Sequence, residues 1–451
     1  MKIITHCVFL LVLLSSFAAH AETLTDLQKE LLQNNPEIAA ARNRYLAATK
    51  VPAQEGTLPD PMLSFTDFGV SHPFSNLNES DFAYRSFGVM QEFPFPGKLD
   101  LRKRIAQKGV EAAEQNVRFT EIRLQSELKK HSADYLYLQQ AIAISEQYRD
   151  LLTQLNEITE VRYKVGKGLQ QDLLRAQVER SAIEEKLELL KQDLKTAQAA
   201  IHALVNRNLE QPLILEGDLA QPAFTTPLQT LQRQLESRSP EVIARLKLEE
   251  QSKLRIQLAQ KGKLPDFGAA FQWQRTGSNF PDYYMTTFQM SIPIFSRRKT
   301  EAAVAQATLE SQAAKNDTQA TLLKLKSDLN AAYLNAETNA TLIKLYNEGI
   351  IPQTRLSLES ATNAYQSGQI EFLSLLNNAA TLLNYESEYH RRLADYHKAI
   401  ARIEELVGEK AEFLPLMKGE IKRGLESQPP PNPLLHKEGE SAGSSHSEVQ
   451  R

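Results

Sequence analysis

Phe267-Gly268-Ala269-Ala270-Phe271-Gln272-Trp273-Gln274 sends Phe267, Ala269, Phe271 and Trp273 to one side of an extended chain, and Gly268, Ala270, Gln272 and Gln274 to the other. Successive side chains in a strand point to opposite faces, so this is a strand with one apolar face. Three further segments read the same way. Residues 62–70 set Leu63 and Phe65 against Ser64 and Thr66, and residues 84–93 set Phe87, Val89 and Phe93 against Ser86, Gly88 and Glu92. Residues 286–294 set Phe288, Met290 and Ile292 against Thr287, Gln289 and Ser291. Alternation over about 9–11 residues is what a transmembrane β-barrel requires. A half-buried strand of a soluble sheet alternates identically, but the chain holds no further set of strands from which to build a soluble sandwich.

The strands belong to a repeat. Leu27 and Asn35-Pro36-Glu37-Ile38 recur as Leu231 and Ser239-Pro240-Glu241-Val242. Leu58-Pro59-Asp60 recurs as Leu264-Pro265-Asp266, Phe93-Pro94-Phe95 as Ile292-Pro293-Ile294, and Tyr163-Lys164-Val165-Gly166 as Tyr365-Gln366-Ser367-Gly368. A repeat this long, mixing strands and helices, is a duplicated unit rather than a solenoid. The first copy spans residues 22–206 and the second 228–418, joined by a proline-bearing connector, 207–227.

Each copy ends in a long helical hairpin, predicted at 97–205 and 296–407. Residues 97–163 contain no proline, and glycine only at Gly97 and Gly109. At about 1.5 Å per residue such a helix extends some 100 Å. Apolar residues recur at sevens, with Val110, Val117, Leu124 and Leu138 in one line and Leu128, Tyr135 and Ile142 in another, as coiled-coil packing demands. Gly166-Lys167-Gly168 reverses the chain, and Pro352 predicts a kink or break in the second hairpin. A coiled-coil spacer would account for the helices but leave both strand pairs unexplained.

Bulk properties place the chain. Lys2, an apolar run and Ala19-His20-Ala21 read as a secretory signal over residues 1–21. Cys7, the only cysteine, falls inside it, so the mature chain is expected to have no disulfide or thiolate site. The formal net charge of −3 and the lack of a large basic block argue against nucleic acid as a partner. His131 sits in the heptad line as a seam residue, and His390 and His397 are too far apart along a helix to share one metal. No catalytic constellation emerges, so neither an enzyme nor a cofactor is expected. Residues 419–451, with Pro429-Pro430-Pro431, read as disordered. Four strands cannot close a barrel, since the smallest single-chain membrane barrels have about eight, so the pattern demands an oligomer. Three copies would supply twelve strands, with loops 71–81 and 276–281 as the exposed tips.

Gln91-Glu92-Phe93-Pro94-Phe95-Pro96-Gly97-Lys98-Leu99 resembles the TolC-like outer-membrane efflux protein family. Ile351-Pro352-Gln353, Tyr365-Gln366-Ser367-Gly368 and Glu371-Phe372-Leu373-Ser374-Leu375-Leu376 extend the resemblance into the second copy, strongest toward members serving heavy-metal pumps of the resistance-nodulation-division type. It implies a mainly α homotrimer: a twelve-stranded β-barrel in outer-membrane lipid on a twelve-helix periplasmic α-barrel. It also implies passive conduction from an inner-membrane pump and periplasmic adaptor, with heavy-metal cations as the expected cargo and drug efflux or protein secretion as the alternative duties of the same architecture. The hairpin tips at Tyr163, Val165, Gly166, Gly168, Tyr365 and Gly368 would meet the adaptor. Asp172, Arg175, Ser374 and Asn377, with Glu371 nearby, would line a constriction. Relatives often carry acids at the positions of Ser374 and Asn377, so the neutral pair here argues against a strongly anionic gate. Asp172 and Arg175, three apart, could instead form an ion pair on one helix face.

Overall fold

Each half opens on two short helices joined at an X-Pro step. In the computed structural model, which describes residues 22–166, 168–220, 225–277, 280–294 and 297–408, the first half holds α1 (Leu24–Asn34), α2 (Pro36–Ala48) and α3 (Val51–Glu55). The strands β1 (Met62–Phe68) and β2 (Tyr84–Phe93) follow, then α4 (Lys98–Lys164) and α5 (Gln170–Val205). The second half repeats the order with α6 (Leu228–Arg238), α7 (Pro240–Gln260), β3 (Asp266–Thr276), β4 (Tyr283–Ser291), α8 (Arg297–Leu345), α9 (Ile351–Gln366) and α10 (Phe372–Val407). The expected signal segment 1–21 and the tail 419–451 lie outside the described residues.

The X-Pro steps are helix starts. Asn35 Oδ1 accepts from the backbone N–H groups of Glu37 and Ile38 at 2.8 and 3.2 Å, while Pro36, which has no N–H to leave unpaired, begins α2. Pro240 plays the same part in α7. These short helices cover the waist of their own hairpin. Leu27 and Leu31 are fully buried with Leu124, Leu128 and Ile201, and Leu231 and Leu235 are fully buried with Leu329 and Ile403. Each such leucine contributes about 1.5–3 kcal/mol through apolar burial.

All four strands form one antiparallel sheet in the order β1-β2-β3-β4. Its register puts Phe65 opposite Phe87, Phe87 opposite Trp273, and Trp273 opposite Tyr284, so Leu63, Phe65, Phe87, Val89, Phe271, Trp273, Tyr284 and Phe288 share a face. Leu63 and Phe288, near the two edges, are each 83% exposed on it. The other face carries Ser64, Thr66, Ser86, Gly88, Gln272 and Gln274 together with Met62, Met90, Phe68 and Tyr84, and Gln272 Nε2 donates to Ser86 Oγ at 2.7 Å across it. Among the described residues no helix is long and apolar enough to cross a membrane. β4 starts at Tyr283 where alternation predicted residue 286, because Tyr283-Tyr284-Met285 is apolar on both faces and hides its period while still pairing with Gln274, Trp273 and Gln272.

The helices run to the expected length, α4 alone being 67 residues. Leu124, Leu128, Tyr135 and Leu138 are buried, but Val110, Val117 and Ile142 are only half-buried. The seam therefore tightens toward the waist and tip, where Leu138, Ser145, Leu152 and Thr159 continue at sevens. Nearer the strands, α7 lies along α4 with polar contacts instead, including Gln251 Nε2 to Ile105 O at 2.9 Å and Lys108–Glu250 at 2.8 Å. Pro352 does not break its helix. The chain widens into a π turn over Tyr346–Ile350, and α9 restarts with Pro352 in its first turn. One wide turn absorbs the missing N–H and the ring clash, and α8 runs on into α9.

The sheet is anchored to the helices by Asp266 at the start of β3. Its carboxylate receives Lys98 Nζ at 2.8 and 3.0 Å and the Phe95 N–H at 2.7 Å, and Lys98 Nζ also donates to Leu264 O at 3.2 Å. The described first part of the connector, through residue 220, lies against the waist, where Tyr135 Oη donates to Leu213 O at 2.7 Å. His397 Nε2 lies 2.9 Å from Ala220 O.

Candidate functional site

Both hairpins reverse at glycines for identifiable reasons. At the first tip, Val165 N–H bonds Val161 O at 3.1 Å and Gly166, at φ +74°, bonds Tyr163 O at 3.0 Å. Gly168 is a close approach, because a Cβ there would stand 3.0 Å from the Tyr163 backbone nitrogen. At the second tip, Gly368 (φ +78°) bonds Tyr365 O at 3.0 Å and Gln369 N–H bonds Ala364 O at 2.8 Å, a complete Schellman ending.

The two tips are tied together. Arg162 Nη1 donates to Tyr365 O at 2.7 Å, and its guanidinium carbon stands 4.7 Å from the Tyr365 ring centroid. Tyr365 in turn packs at 5.5 Å on Phe372, which is fully buried at the start of α10. Around them Tyr148, Leu152, Leu155, Ala176 and Ile183 of the first hairpin share one apolar cluster with Ala361, Leu375, Leu376 and Ala379 of the second. Burial raises the Tyr365 phenol above its usual range; the Arg162 charge opposes this, and the Asp172 carboxylate adds to it.

The expected constriction residues divide. Asp172 is half-buried in the first turn of α5, close enough for its charge to reach Tyr365. Arg175 is exposed one turn on and makes no ion pair with Asp172 among the described residues. Glu371 is exposed at the N-cap of α10, and Ser374 and Asn377 are exposed on the side of α10 turned away from Phe372, Leu376 and Ala379. Of the tip residues, Tyr163, Val165, Gly166 and Gly368 are exposed, Gly168 is half-buried and Tyr365 is buried. Tyr365 therefore acts as internal packing, and Arg162, which sequence reading passed over, is its partner. Only its place beside Tyr163, next to a glycine turn, could have drawn attention to it.

Among the described residues no group of three His, Cys, Asp or Glu side chains is placed to hold a metal ion. His397 is buried and His390 half-buried, both with pKa values pushed down by burial; His131 is half-buried in the α4 seam.

The protein thus combines an amphipathic four-stranded sheet with two open edges and two helical hairpins tied to each other at their tips. The model of the outer membrane efflux protein family matches residues 27–207 and 231–409, one match per copy of the repeat. The chain belongs to this family. As a member it is an outer-membrane protein with a periplasmic helical part, and its architecture is that of the TolC-like channels. It is 20% identical over 313 residues to the cobalt-zinc-cadmium resistance protein CzcC of Cupriavidus metallidurans, covering 69% of this chain and 74% of that one. Among solved structures, CusC superposes with a TM-score of 0.74 at 15% identity, over 86% of this chain and 92% of that one. VceC of Vibrio cholerae gives 0.73 at 18% identity, over 86% and 96% respectively. The open-state MtrE channel of Neisseria gonorrhoeae gives 0.71 at 15%, over 86% and 89%. At these identities the likeness is one of fold.

Proposed function

We propose that the protein is the outer-membrane duct of a three-part efflux machine, a homotrimer that passively conducts heavy-metal cations delivered by an inner-membrane resistance-nodulation-division pump through a periplasmic adaptor. The observation that carries this reading is the four-stranded sheet with one apolar face and both edges open, rooted on two helical hairpins about 100 Å long. Three such sheets supply twelve strands. The apolar faces turn to lipid, and the face carrying Ser86, Gly88 and Gln272 turns to the lumen.

The tips form the gate and the adaptor site. Asp172, Arg175, Glu371, Ser374 and Asn377 line the constriction, and Tyr163, Val165, Gly166, Gly168 and Gly368 meet the adaptor, with Tyr365 behind them holding the tip in shape. Ser374 and Asn377 are uncharged, so cations pass without a strong anionic filter. Likeness to the cobalt-zinc-cadmium resistance protein supports metal ions as cargo. Energy comes from the pump, since the duct itself makes and breaks no bonds.

Planar-bilayer recording of purified trimer tests conduction: ionic current through the wild type is expected, and a folded trimer that stays silent even with its tips loosened overturns the duct. Deleting the gene tests the cargo. Lowered tolerance to zinc, cobalt or cadmium is expected, and unchanged tolerance overturns the metal reading while leaving the duct intact.

A further inference from the structure

The two copies of the repeat correspond residue by residue along the sheet. Leu58-Pro59-Asp60 lies on Leu264-Pro265-Asp266, and Phe93-Pro94-Phe95 lies on Ile292-Pro293-Ile294. Carried along these two alignments, the observed pair Met62–Met90 of the first hairpin becomes Gly268–Gln289, which is a pair of the second hairpin. Phe65–Phe87 likewise becomes Phe271–Thr286, also observed. Motifs and hydrogen-bond ladder thus give one and the same correspondence.

The seam between the copies, β2 against β3, is closed at its helical end by the Asp266–Lys98 ion pair. Extending the alignment, Asp60 takes the place of Asp266, and Arg297 takes the place of Lys98. The acid and the base persist although Gly97 has become Ser296 and Phe95 has become Ile294. Within one chain they cannot meet, because Asp60 precedes β1 and Arg297 follows β4, at opposite edges of a sheet whose strands stand about 4.8 Å apart. Asp60 has no hydrogen-bond or ion-pair partner among the described residues, and Arg297 has only the exposed Glu301 one turn along its own helix, at 2.9 Å.

We propose that Asp60 pairs with the partner subunit's Arg297, closing the seam where β1 of one protomer meets β4 of the next, as Asp266 and Lys98 close the seam within each chain. The inference rests on the trimer reading above. The same correspondence fixes the register of that seam, with Leu63 opposite the partner subunit's Met290 and Phe65 opposite the partner subunit's Phe288. Each protomer's apolar face then continues into the next, and Phe288 gains a cross-strand aromatic neighbour. A slip of one residue would set Leu63 and Phe65 opposite positions facing the polar side.

Two measurements test it on the full-length protein. The mature chain is expected to lack cysteine, so introduced pairs report cleanly. Leu63→Cys with Met290→Cys should oxidise to a covalent trimer on a non-reducing gel, while Leu63→Cys with Gln289→Cys should not; cross-linking favouring the slipped pair overturns the register. Asp60→Arg and Arg297→Glu should each lower the temperature at which the detergent-resistant trimer falls to monomers, and their combination should recover most of the loss. No recovery in a double variant that still cross-links at positions 63 and 290 overturns the ion pair. A wild type that is monomeric in detergent and in native membranes overturns the trimer itself, which distinguishes failure of the duct reading from failure of this contact.

Discussion

Arg162 and Tyr365, on different hairpins and 203 residues apart, are held to each other twice, by a 2.7 Å hydrogen bond to the backbone carbonyl and by the guanidinium over the ring. No other hydrogen bond or ion pair is seen between the tips among the described residues.

Arg162→Ala should loosen the tips. It removes a charged hydrogen bond, worth about 1.5–3 kcal/mol when dry, and a cation–π contact of about 0.5–1 kcal/mol; partial exposure puts the sum at the low end. Bilayer conductance is expected to rise in frequency of opening, with Arg162→Lys intermediate because it keeps the charge but loses the planar fork. Unchanged gating would show that the tips are held by packing alone.

The tip glycines should tolerate substitution unequally. Gly168→Ala places a methyl against the Tyr163 and Arg162 backbone, an overpacking cost of about 1–3 kcal/mol. Gly166→Ala has open space and carries only the left-handed backbone penalty, about 1–2 kcal/mol, with no steric clash added. Limited proteolysis at the tip should accelerate more for Gly168→Ala than for Gly166→Ala.

Lys129 and Glu404 form a buried ion pair that ties α4 to α10 at the waist, flanked by Ser126 Oγ donating to Ala401 O at 2.9 Å. Lys129→Met alone leaves a buried carboxylate and should cost about 3–5 kcal/mol, whereas Lys129→Met with Glu404→Leu should be near neutral. Thermal melting followed by helix circular dichroism separates these outcomes; equal losses in single and double variants would mean the pair is solvated.

Acid should weaken the waist through His397. Burial holds its imidazole pKa below the ordinary value, with the bond to Ala220 O opposing in part. The unfolded chain then binds more protons than the folded one between the folded pKa and the ordinary value, about 6.5. Its contribution is intact above about 6.5 and falls away as pH drops through the folded pKa. Melting temperature should therefore decline on acidification, and His397→Gln should flatten that decline.

Local pattern made much of the architecture legible. Period-two alternation marks the strands and sevenfold spacing marks the seams, because each reflects burial on one face of a regular element. It was least reliable where two rules overlapped. Tyr283-Tyr284-Met285 hid the start of β4, and Pro352, a breaker by local rule, is accommodated by a π turn. At the site, the glycine turns were visible because their backbone geometry is local, while Tyr365 read as surface and proved to be core.

By itself, then, the sequence determined the duplicated order of elements, the apolar face of the sheet and the points where each hairpin turns, since these depend on residues a few positions apart. Tertiary structure alone decided that Arg162 meets Tyr365 and that Lys98 meets Asp266, contacts between residues 203 and 168 positions apart. Charge and ring say only that a partner is wanted. Which one is found depends on how the long helices and the sheet bring distant segments together.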